Sequence, residues 1–290
     1  MVLILSFPET EALGKAVARS LKAPYATVKN AKFPDGEYNL SLKQNPSHQT
    51  VILISSMAHH PNAKLIETLL VLGMLKDYGA KKIILIATYL PYMRQDTHFF
   101  NYDSFSSKHI LELFSNLDKL IVIDPHLHRL HSMRQLSSKA SSITVNHLIA
   151  DYIKKRFKDD FLLLGPDEES TQWNTPIAKL LKKPVTILKK TRVSANKVSV
   201  SKEHLTKHYI LIVDDIISTG HTLVEALKEA KQQGAKKLVC IGIHGVLAKG
   251  AAERITRYAE LITTNTIPNK YAKIDVSPAI VQALKKEILA

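Results

Sequence analysis

The sequence lacks most of the features that mark a secreted or membrane protein. Its 290 residues include one cysteine, Cys240, which excludes an internal disulfide and fits a cytoplasmic location. No apolar run approaches the roughly 18 residues that a bilayer-spanning helix needs, which argues against a membrane protein. The N-terminal MVLILSF is apolar but follows no basic segment, so it predicts a first strand rather than a signal peptide.

The charge balance is strongly basic. Forty Lys and Arg residues against 26 Asp and Glu give a formal net charge of +14 at pH 7. A positive field concentrates anions, so nucleic-acid binding and an enzyme for polyanionic small molecules both fit this charge. The lysines are spread in short pairs, with no basic arm and no block interleaved with aromatic residues. The charge alone therefore leaves both classes open.

Strand-like and helix-like segments alternate along the chain. Apolar runs such as TVILISS at 50–56, KKIILIATY at 81–89 and YILIVDD at 209–215 are separated by segments with helical spacing. Short, continuously apolar strands between helices are typical of sheets that are covered on both faces. The alternation predicts an α/β protein with largely parallel sheets flanked by helices.

Three pairs of segments match each other in the same order. LILSFPE at 3–9 matches LLLGPDE at 162–168, and SLKAPYATVK at 20–29 matches LLKKPVTILK at 180–189. GAKKIILIATY at 79–89 matches GAKKLVCIGIH at 234–244. These matches predict an internal duplication, with domains at 1–145 and 146–276. A last helix at 277–290 lies beyond the second copy and is free to pack on the first domain.

The stretch VDDIISTGHTL at 213–223 carries the clearest chemistry. Asp214 and Asp215 end an apolar strand, and a small hydroxyl-rich turn leads into a helix. Backbone N–H groups at a helix N-terminus favour an anion, while two bare acids would repel it unless they contact sugar hydroxyls or a metal ion. The stretch predicts a pentose 5-phosphate site, against the alternative of a strand, loop and helix with solvated acids.

Two details refine this prediction. Thr222 and Glu225 have the spacing of a capping box, which predicts a capped helix start. The corresponding stretch of the first copy, ISSMAHHPNA at 54–63, has neither the acid pair nor the Thr-Gly turn. The two copies are therefore expected to do different work.

The 213–223 stretch resembles the phosphoribosyl-pyrophosphate (PRPP) loop of phosphoribosyltransferases and PRPP synthetases. Other motifs separate these classes. In order they are FPDGEYN at 33–39, YLPYMRQD at 89–96, IDPHLH at 123–128, GPDEES at 165–170 and KKTR at 189–192. Together they resemble the ribose-phosphate diphosphokinase family, the PRPP synthetases, over almost the whole chain. The family implies two tandem phosphoribosyltransferase-like domains.

The resemblance also implies a role for each matching residue. The implied ATP-binding residues are Asp35, Gly36, Glu37, Arg94, Gln95, Asp96 and His126, of which the first three reach a neighbouring subunit. The implied ribose 5-phosphate-binding residues are Arg192, Asp214, Asp215, Ser218, Thr219, Gly220, His221 and Thr222. Lys190 and Arg192 match a catalytic loop that is mobile in the family, and His126 and Asp167 match residues near the metal.

The sequence departs from the family pattern at three places. HLHRLHSMRQL at 126–136 replaces a stretch in which the family usually has Gln and an aromatic pair, and it also offers His126, His128 and His131 as an alternative metal site. Ser218 stands where many members have Asp, and His221 where many have Gly. GPDEES carries extra acids, so the local charge differs.

The predicted reaction converts ATP and ribose 5-phosphate to PRPP and AMP, with Mg²⁺ as the metal cofactor. The resemblance implies self-association into a homo-oligomer, a dimer or larger, and a cytoplasmic enzyme with neither nucleic acid nor membrane as partner. Two alternatives stay open at this point. One is a phosphoribosyltransferase that consumes PRPP, and the other is a non-catalytic paralogue that binds phosphoribosyl compounds or a partner synthetase.

Overall fold

The chain folds into two compact units. The computed structural model describes residues 1–98, 100–127, 129–130, 132–188, 190–194, 197–200 and 209–289. The first unit comprises Met1–Thr144, Thr266–Pro268 and Val276–Ala290, and the second comprises Val145–Asn265 and Asn269–Asp275. Within the described residues, no helix has the length and apolarity that a bilayer crossing requires.

The first unit is built on a six-stranded sheet. In chain order its elements are β1 (Val2–Ser6), α1 (Glu11–Leu21), β2 (Tyr25–Thr27), β3 (Lys29–Lys32), β4 (Tyr38–Ser41), β5 (Thr50–Ser56), α2 (Pro61–Asp77), β6 (Lys82–Tyr89), α3 (Ser106–Glu112), β7 (Lys119–Ile123) and β8 (Ala140–Ile143). The sheet order is β2-β1-β5-β6-β7-β8, and every pairing is parallel. β3 and β4 form a separate antiparallel hairpin.

The second unit repeats this plan. Its elements are α4 (Asn146–Arg156), β9 (Leu162–Gly165), α5 (Thr171–Leu181), β10 (Val185–Ile187), β11 (Lys190–Ser194), β12 (Lys197–Val200), β13 (Tyr209–Ile217), α6 (His221–Gln232), β14 (Lys237–Gly245), α7 (Ala251–Thr256), β15 (Glu260–Thr264) and β16 (Ala272–Ile274). The parallel sheet has the order β10-β9-β13-β14-β15-β16, and β11 and β12 form an antiparallel hairpin. The α/β prediction is confirmed.

The central strands β5 and β6 are buried on both faces of the sheet. Residues 51–56 of β5 and 83–88 of β6 are all buried, with no alternation between polar and apolar positions. Continuous burial of this kind needs a layer of helices on each face, which the crossover connections between parallel strands supply. The apolar runs of the sequence therefore encode strand and sheet type together.

A strained helix end occurs at the same place in both units. α1 ends at Lys22 with φ 52°, and α5 ends at Lys182 with φ 53°. In each case the N–H of the following residue donates to a carbonyl in the last turn of the helix. The Ala23 N–H donates to the Ala18 carbonyl at 3.0 Å, and the Lys183 N–H donates to the Ala178 carbonyl at 3.1 Å. A left-handed lysine is unusual where glycine is the common choice. Its recurrence 160 residues later supports the internal duplication.

The last helix, α8 (Ser277–Leu289), belongs to the first unit. It packs on α1 and β8, and its Ile280 and Leu284 have no exposed surface. Lys119 Nζ lies 3.0 Å from Glu287 Oε1 and adds a polar contact. Because α8 covers apolar surface that is distant in sequence, the last residues contribute to the stability of the first unit.

We expect Ile280→Ala to destabilise the protein strongly, because the substitution leaves a cavity in a fully buried contact. The cost should be about 2–5 kcal/mol, measured by thermal or denaturant unfolding. Ile288→Ala is the matched control, since Ile288 lies on the same helix but is 37% exposed. Equal losses for the two variants would contradict the packing of α8 on the first unit.

Candidate functional site

The predicted residues of the second unit lie in or after the last part of three neighbouring strands. β10, β9 and β13 are adjacent and parallel, so their carboxyl ends reach the same edge of the sheet. Asp167 follows β9, the hairpin that begins at Lys190 follows β10, and Asp214 lies in the last part of β13. Open parallel sheets bind ligands at this edge.

The acid pair lies within β13 rather than at its end, because the strand continues to Ile217. Asp214 is half-buried, whereas Asp215 is only 4% exposed. Each carboxylate also accepts a hydrogen bond from the backbone N–H of the next residue. Asp214 Oδ1 accepts from the Asp215 N–H at 3.1 Å, and Asp215 Oδ1 accepts from the Ile216 N–H at 2.7 Å. Asp214 is the more accessible carboxylate of the pair.

The turn after β13 depends on a glycine. Gly220 has φ 73° and precedes α6, and a Cβ there would lie 3.0 Å from the Ile255 side chain. His221 begins the helix and is not among the residues with positive φ, so its replacement of the family's glycine brings no strain. The first helical hydrogen bond runs from the Val224 N–H to the Gly220 carbonyl at 2.9 Å. The earlier N–H groups of such a helix start suit an anion.

The capping-box prediction for Thr222 and Glu225 is wrong. The residue that caps α6 is Gly220, which has no side chain that could take part in a capping box. Glu225 instead pairs with Lys228, whose Nζ lies 2.9 Å from Glu225 Oε1 on the exposed side of the helix. The spacing was met by chance, because the helix begins one residue before Thr222.

Three hydrogen bonds hold the carbonyl groups of this turn. The Ile217 and Ser218 carbonyls accept from the N–H groups of Leu247 and Ala248 at 2.9 and 3.0 Å. The Thr219 carbonyl accepts from Arg254 Nη2 at 2.7 Å. These hydrogen bonds restrain the backbone of the turn. Arg254 was missed by the sequence analysis, since it lies 35 residues away and in no recognisable motif.

A buried amide supports the same edge. Asn174 has no exposed surface, and its Nδ2 donates to the Ser170 and Val213 carbonyls at 2.9 and 2.8 Å. Asp167 caps the short helix before α5 and accepts from the Ser170 N–H at 3.1 Å. Asn174 thereby connects the segment of Asp167 to the residue before Asp214. The sequence alone offered no signal for this contact.

The basic pair of the second unit lies on a strand. The backbone of Lys190 and Arg192 belongs to β11, which pairs with β12, so this segment is extended rather than an irregular loop. Their side chains, and all of Lys189, lie outside the described part of the structure. The equivalent strand of the first unit is β3, where Asn30 and Lys32 occupy the corresponding positions.

The first unit has replaced the acid pair by hydroxyl groups. Ser55 and Ser56 stand at the positions of Asp214 and Asp215, and both are buried. Ser55 Oγ lies 3.0 Å from Thr68 Oγ1, and Ser56 Oγ donates to the Thr266 carbonyl at 2.9 Å. These side chains stabilise their own unit. The expectation that the copies differ in chemistry therefore has a structural counterpart at this position.

The Asp35–Glu37 segment forms the exposed tip of the β3–β4 hairpin. The Phe33 N–H donates to the Glu37 carbonyl at 2.8 Å, and the Gly36 N–H donates to the Phe33 carbonyl at 2.9 Å. Gly36 has φ 95°, which an L side chain rarely adopts. The Glu37 N–H donates to Asp35 Oδ1 at 3.2 Å and completes the turn. The tip is exposed and is ordered by hydrogen bonds within the hairpin.

Arg94, Gln95 and Asp96 follow β6, and His126 follows the neighbouring strand β7. Arg94 is exposed and His126 is half-buried, whereas Asp96 is 1% exposed. Asp96 Oδ2 accepts from the Arg129 N–H at 2.8 Å, which joins the two loops. Arg94 and His126 are thus more accessible to a ligand than Asp96. His128 and His131 lie outside the described residues.

The segment that departs from the family pattern has local order of its own. Ser132 and Gln135 form a capping box around the short helix Met133–Gln135. The Arg134 N–H donates to Ser132 Oγ at 3.2 Å, and the Ser132 N–H donates to Gln135 Oε1 at 3.1 Å. In the described ranges, no three His, Cys, Asp or Glu side chains converge to hold a metal ion.

Two family models match the chain. A model of the phosphoribosyl transferase domain matches residues 133–279, which defines the class of the second unit. A model of the N-terminal domain of ribose phosphate pyrophosphokinase matches residues 2–117. The chain belongs to the ribose-phosphate pyrophosphokinase family.

Relatives support this assignment along nearly the whole chain. A ribose-phosphate pyrophosphokinase of Saccharolobus solfataricus is 31% identical, with 98% of this chain and 100% of the relative covered. Its counterpart from Methanopyrus kandleri is 29% identical, with coverage of 98% and 99%. The structure of phosphoribosylpyrophosphate synthetase from Mycobacterium smegmatis superposes with a TM-score of 0.85 at 21% identity and covers 99% of each chain, which shows the shared fold.

We expect Arg254→Gln to loosen the turn at 218–220, because the Thr219 carbonyl loses a charge-assisted hydrogen bond. Such bonds contribute about 1.5–3 kcal/mol. Faster amide hydrogen exchange at residues 219–223 would report the change. Arg257→Gln is the control, since Arg257 is exposed at the end of the same helix. Identical exchange in the two variants would show that Arg254 does not hold the turn.

Proposed function

We propose that the protein transfers the diphosphoryl group of ATP to the C1 hydroxyl of ribose 5-phosphate, giving PRPP and AMP for nucleotide biosynthesis in the cytoplasm. The observation that carries this proposal is the family relationship across both units. A phosphoribosyltransferase needs only the second type of domain, and it would leave the motifs of the first unit without a role.

In the proposed reaction, the C1 oxygen attacks the β-phosphorus of ATP in line. A new bond forms between that oxygen and the β-phosphorus, the bond from the β-phosphorus to the α,β-bridging oxygen breaks, and AMP leaves. The hydroxyl proton is released. No covalent enzyme intermediate is required, so the protein contributes positioning and charge stabilisation.

The sugar phosphate fits the edge of the second unit. Residues 218–222 would bind the 5-phosphate through backbone N–H groups and hydroxyls at the start of α6. Asp214 and Asp215 would bind the ribose hydroxyls, with Asp214 making the more direct contact because it is only half-buried. Lys190 and Arg192 would neutralise charge that develops at the β-phosphoryl group, and Arg192 would also contact the sugar phosphate.

The triphosphate side would use the first unit. The loops after β6 and β7 carry Arg94, Gln95 and His126, which would contact the triphosphate. Asp96 joins these two loops through its hydrogen bond from the Arg129 N–H, and it would contribute to ATP binding there. The hairpin tip at Asp35–Glu37 would reach the adenine bound to a neighbouring copy, which requires a homo-oligomer. Its exposure and ordered turn suit such a contact.

The described residues fit a magnesium ion that arrives with ATP. Mg²⁺ is commonly bound through one or two carboxylates together with substrate phosphates and water, rather than in a cage of protein ligands. Asp167 supplies a carboxylate at the carboxyl edge, whereas the imidazole of His126 suits a hydrogen bond to a metal-bound phosphate better than direct ligation. The ion would neutralise charge on the oxygens of ATP.

The test is direct. Purified protein incubated with ATP, Mg²⁺ and ribose 5-phosphate should release AMP and PRPP in equal amounts. A transferase would release no AMP but would consume added PRPP in the presence of a base and form pyrophosphate. A non-catalytic binder would do neither. Either of those results would reject the proposed reaction.

We expect Asp214→Asn to raise the KM for ribose 5-phosphate, because the contact to a hydroxyl or metal loses its charge. A loss of about 1.5–3 kcal/mol corresponds to roughly 10- to 150-fold. Asp151→Asn is the matched control on the exposed side of α4. Steady-state kinetics with each substrate varied would show the effect, and unchanged constants would remove Asp214 from the site.

We expect Lys190→Ala to lower kcat while ribose 5-phosphate binding survives. A contact made in the transition state appears in kcat, whereas a ground-state ATP contact appears mainly in KM. Loss of one such contact should cost about 3–4 kcal/mol, or roughly 10²–10³ in rate. Lys155→Ala on α4 is the control. A near-normal kcat would mean that KKTR is only a solvated basic segment.

A further inference from the structure

The β3–β4 hairpin needs an attachment to the rest of the first unit. It lies outside the six-stranded sheet, and a two-stranded hairpin alone has marginal stability in water. Leu40 packs partly against the core, but its neighbours on β4 are more exposed. If the tip is to meet a ligand reproducibly, a stronger contact must fix the hairpin.

That contact is a buried carboxylate. Glu67 lies on α2 with no exposed surface. Its Oε1 accepts from Asn30 Nδ2 on β3 at 2.6 Å, and its Oε2 accepts from Lys64 Nζ at 2.7 Å. Lys64 Nζ also lies 2.6 Å from Glu9 Oε1, beyond the end of β1. A buried charge is tolerated only when it is paired and hydrogen-bonded, so this arrangement fixes Asn30 strongly.

The charges of the cluster reinforce one another. Burial alone would lower the pKa of Lys64, but its hydrogen bonds to Glu67 and Glu9 outweigh burial and raise it. Lys64 therefore stays cationic, and its ammonium group donates to Glu67 Oε2. Tyr38 on β4 lies near this cluster. Its burial, and to a lesser extent the charge of Glu67, raise the pKa of its phenol.

The second unit lacks this chemistry at the equivalent places. The copies are offset by 159 or 160 residues as far as the starts of α2 at Pro61 and α6 at His221, so the position of Glu67 corresponds to Ala226 or Leu227, and that of Lys64 to Leu223 or Val224. All four are buried apolar residues of α6. The charged cluster is thus particular to the unit whose hairpin carries Asp35–Glu37, although both units have a hairpin at the same place.

We propose that Glu67, together with Lys64 and Glu9, anchors the β3–β4 hairpin through Asn30, and that this anchor positions the hairpin tip for ATP binding. Glu67 and Asn30 are positioning residues, since neither belongs to the tip. The proposal rests on the proposed function for its effect on ATP, but the anchor itself can be measured without activity.

The experiment compares three variants of the full chain. Asn30→Ala removes the donor to Glu67. Asn30→Asp keeps the size of the side chain but places a second carboxylate beside Glu67, so it should be worse than Asn30→Ala. Asn39→Ala is the matched control, because Asn39 is exposed on the partner strand of the same hairpin. Amide hydrogen exchange at residues 29–41 and steady-state kinetics are measured for each.

In Asn30→Ala, exchange of the hairpin amides should accelerate and the KM for ATP should rise by about tenfold or more, as expected for loss of a hydrogen bond to a charged group. The kcat and the KM for ribose 5-phosphate should change little. Asn30→Asp should show larger effects, and Asn39→Ala should match the unmodified protein. This pattern would support the anchor.

Two results would overturn the proposal that Glu67 anchors the hairpin for ATP binding. Exchange in Asn30→Ala that equals exchange in Asn39→Ala would show that the contact does not hold the hairpin. Faster exchange with an unchanged KM for ATP would show that the held hairpin does not serve ATP. An unmodified protein that makes no PRPP would reject the proposed function instead, and hydrogen exchange would still decide whether Glu67 anchors the hairpin.

Discussion

The rest of this structure depends on one constraint, the burial of parallel strands on both faces. Parallel neighbours are joined by crossover helices, so all their carboxyl ends meet at one edge of the sheet. In the second unit this brings the segments after β9, β10 and β13 together although they are far apart in sequence. In the first unit it does the same for the segments after β6 and β7. Candidate site residues that follow the strands of the sheets lie at this edge, whereas Asp35–Glu37 and the pair Lys190 and Arg192 belong to hairpins outside the sheets.

The two units have the same fold but different side chains at the carboxyl edge of the sheet. Asp214 and Asp215 in one copy correspond to Ser55 and Ser56 in the other, where the hydroxyls make internal hydrogen bonds. The sheet order and the left-handed helix end at Lys22 and Lys182 are retained. Backbone geometry is held by packing throughout the core, whereas a side chain at the edge can change with little cost to the fold.

The polar contacts that support the candidate site segments are buried or half-buried and join residues that are distant in sequence. Arg254 holds the Thr219 carbonyl, Asn174 joins the Asp167 segment to β13, and Glu67 holds Asn30. Each uses a donor or acceptor that would be costly to bury alone, so each contact is strong where its partner is present. Such residues set the conformation of segments that carry the chemistry without belonging to a motif themselves.

The sequence by itself determined the fold class, the repeat and the position of the candidate edge. Apolar runs and their spacing are local, and VDDIISTGHT combines acids, hydroxyls and glycine within ten residues. The tertiary structure decided the rest: that Asp214 is more accessible than Asp215, that Gly220 rather than a capping box begins α6, and that Arg254 and Glu67 fix distant loops. Burial and hydrogen-bond partners depend on which elements pack together, and that information is absent from any local stretch of sequence.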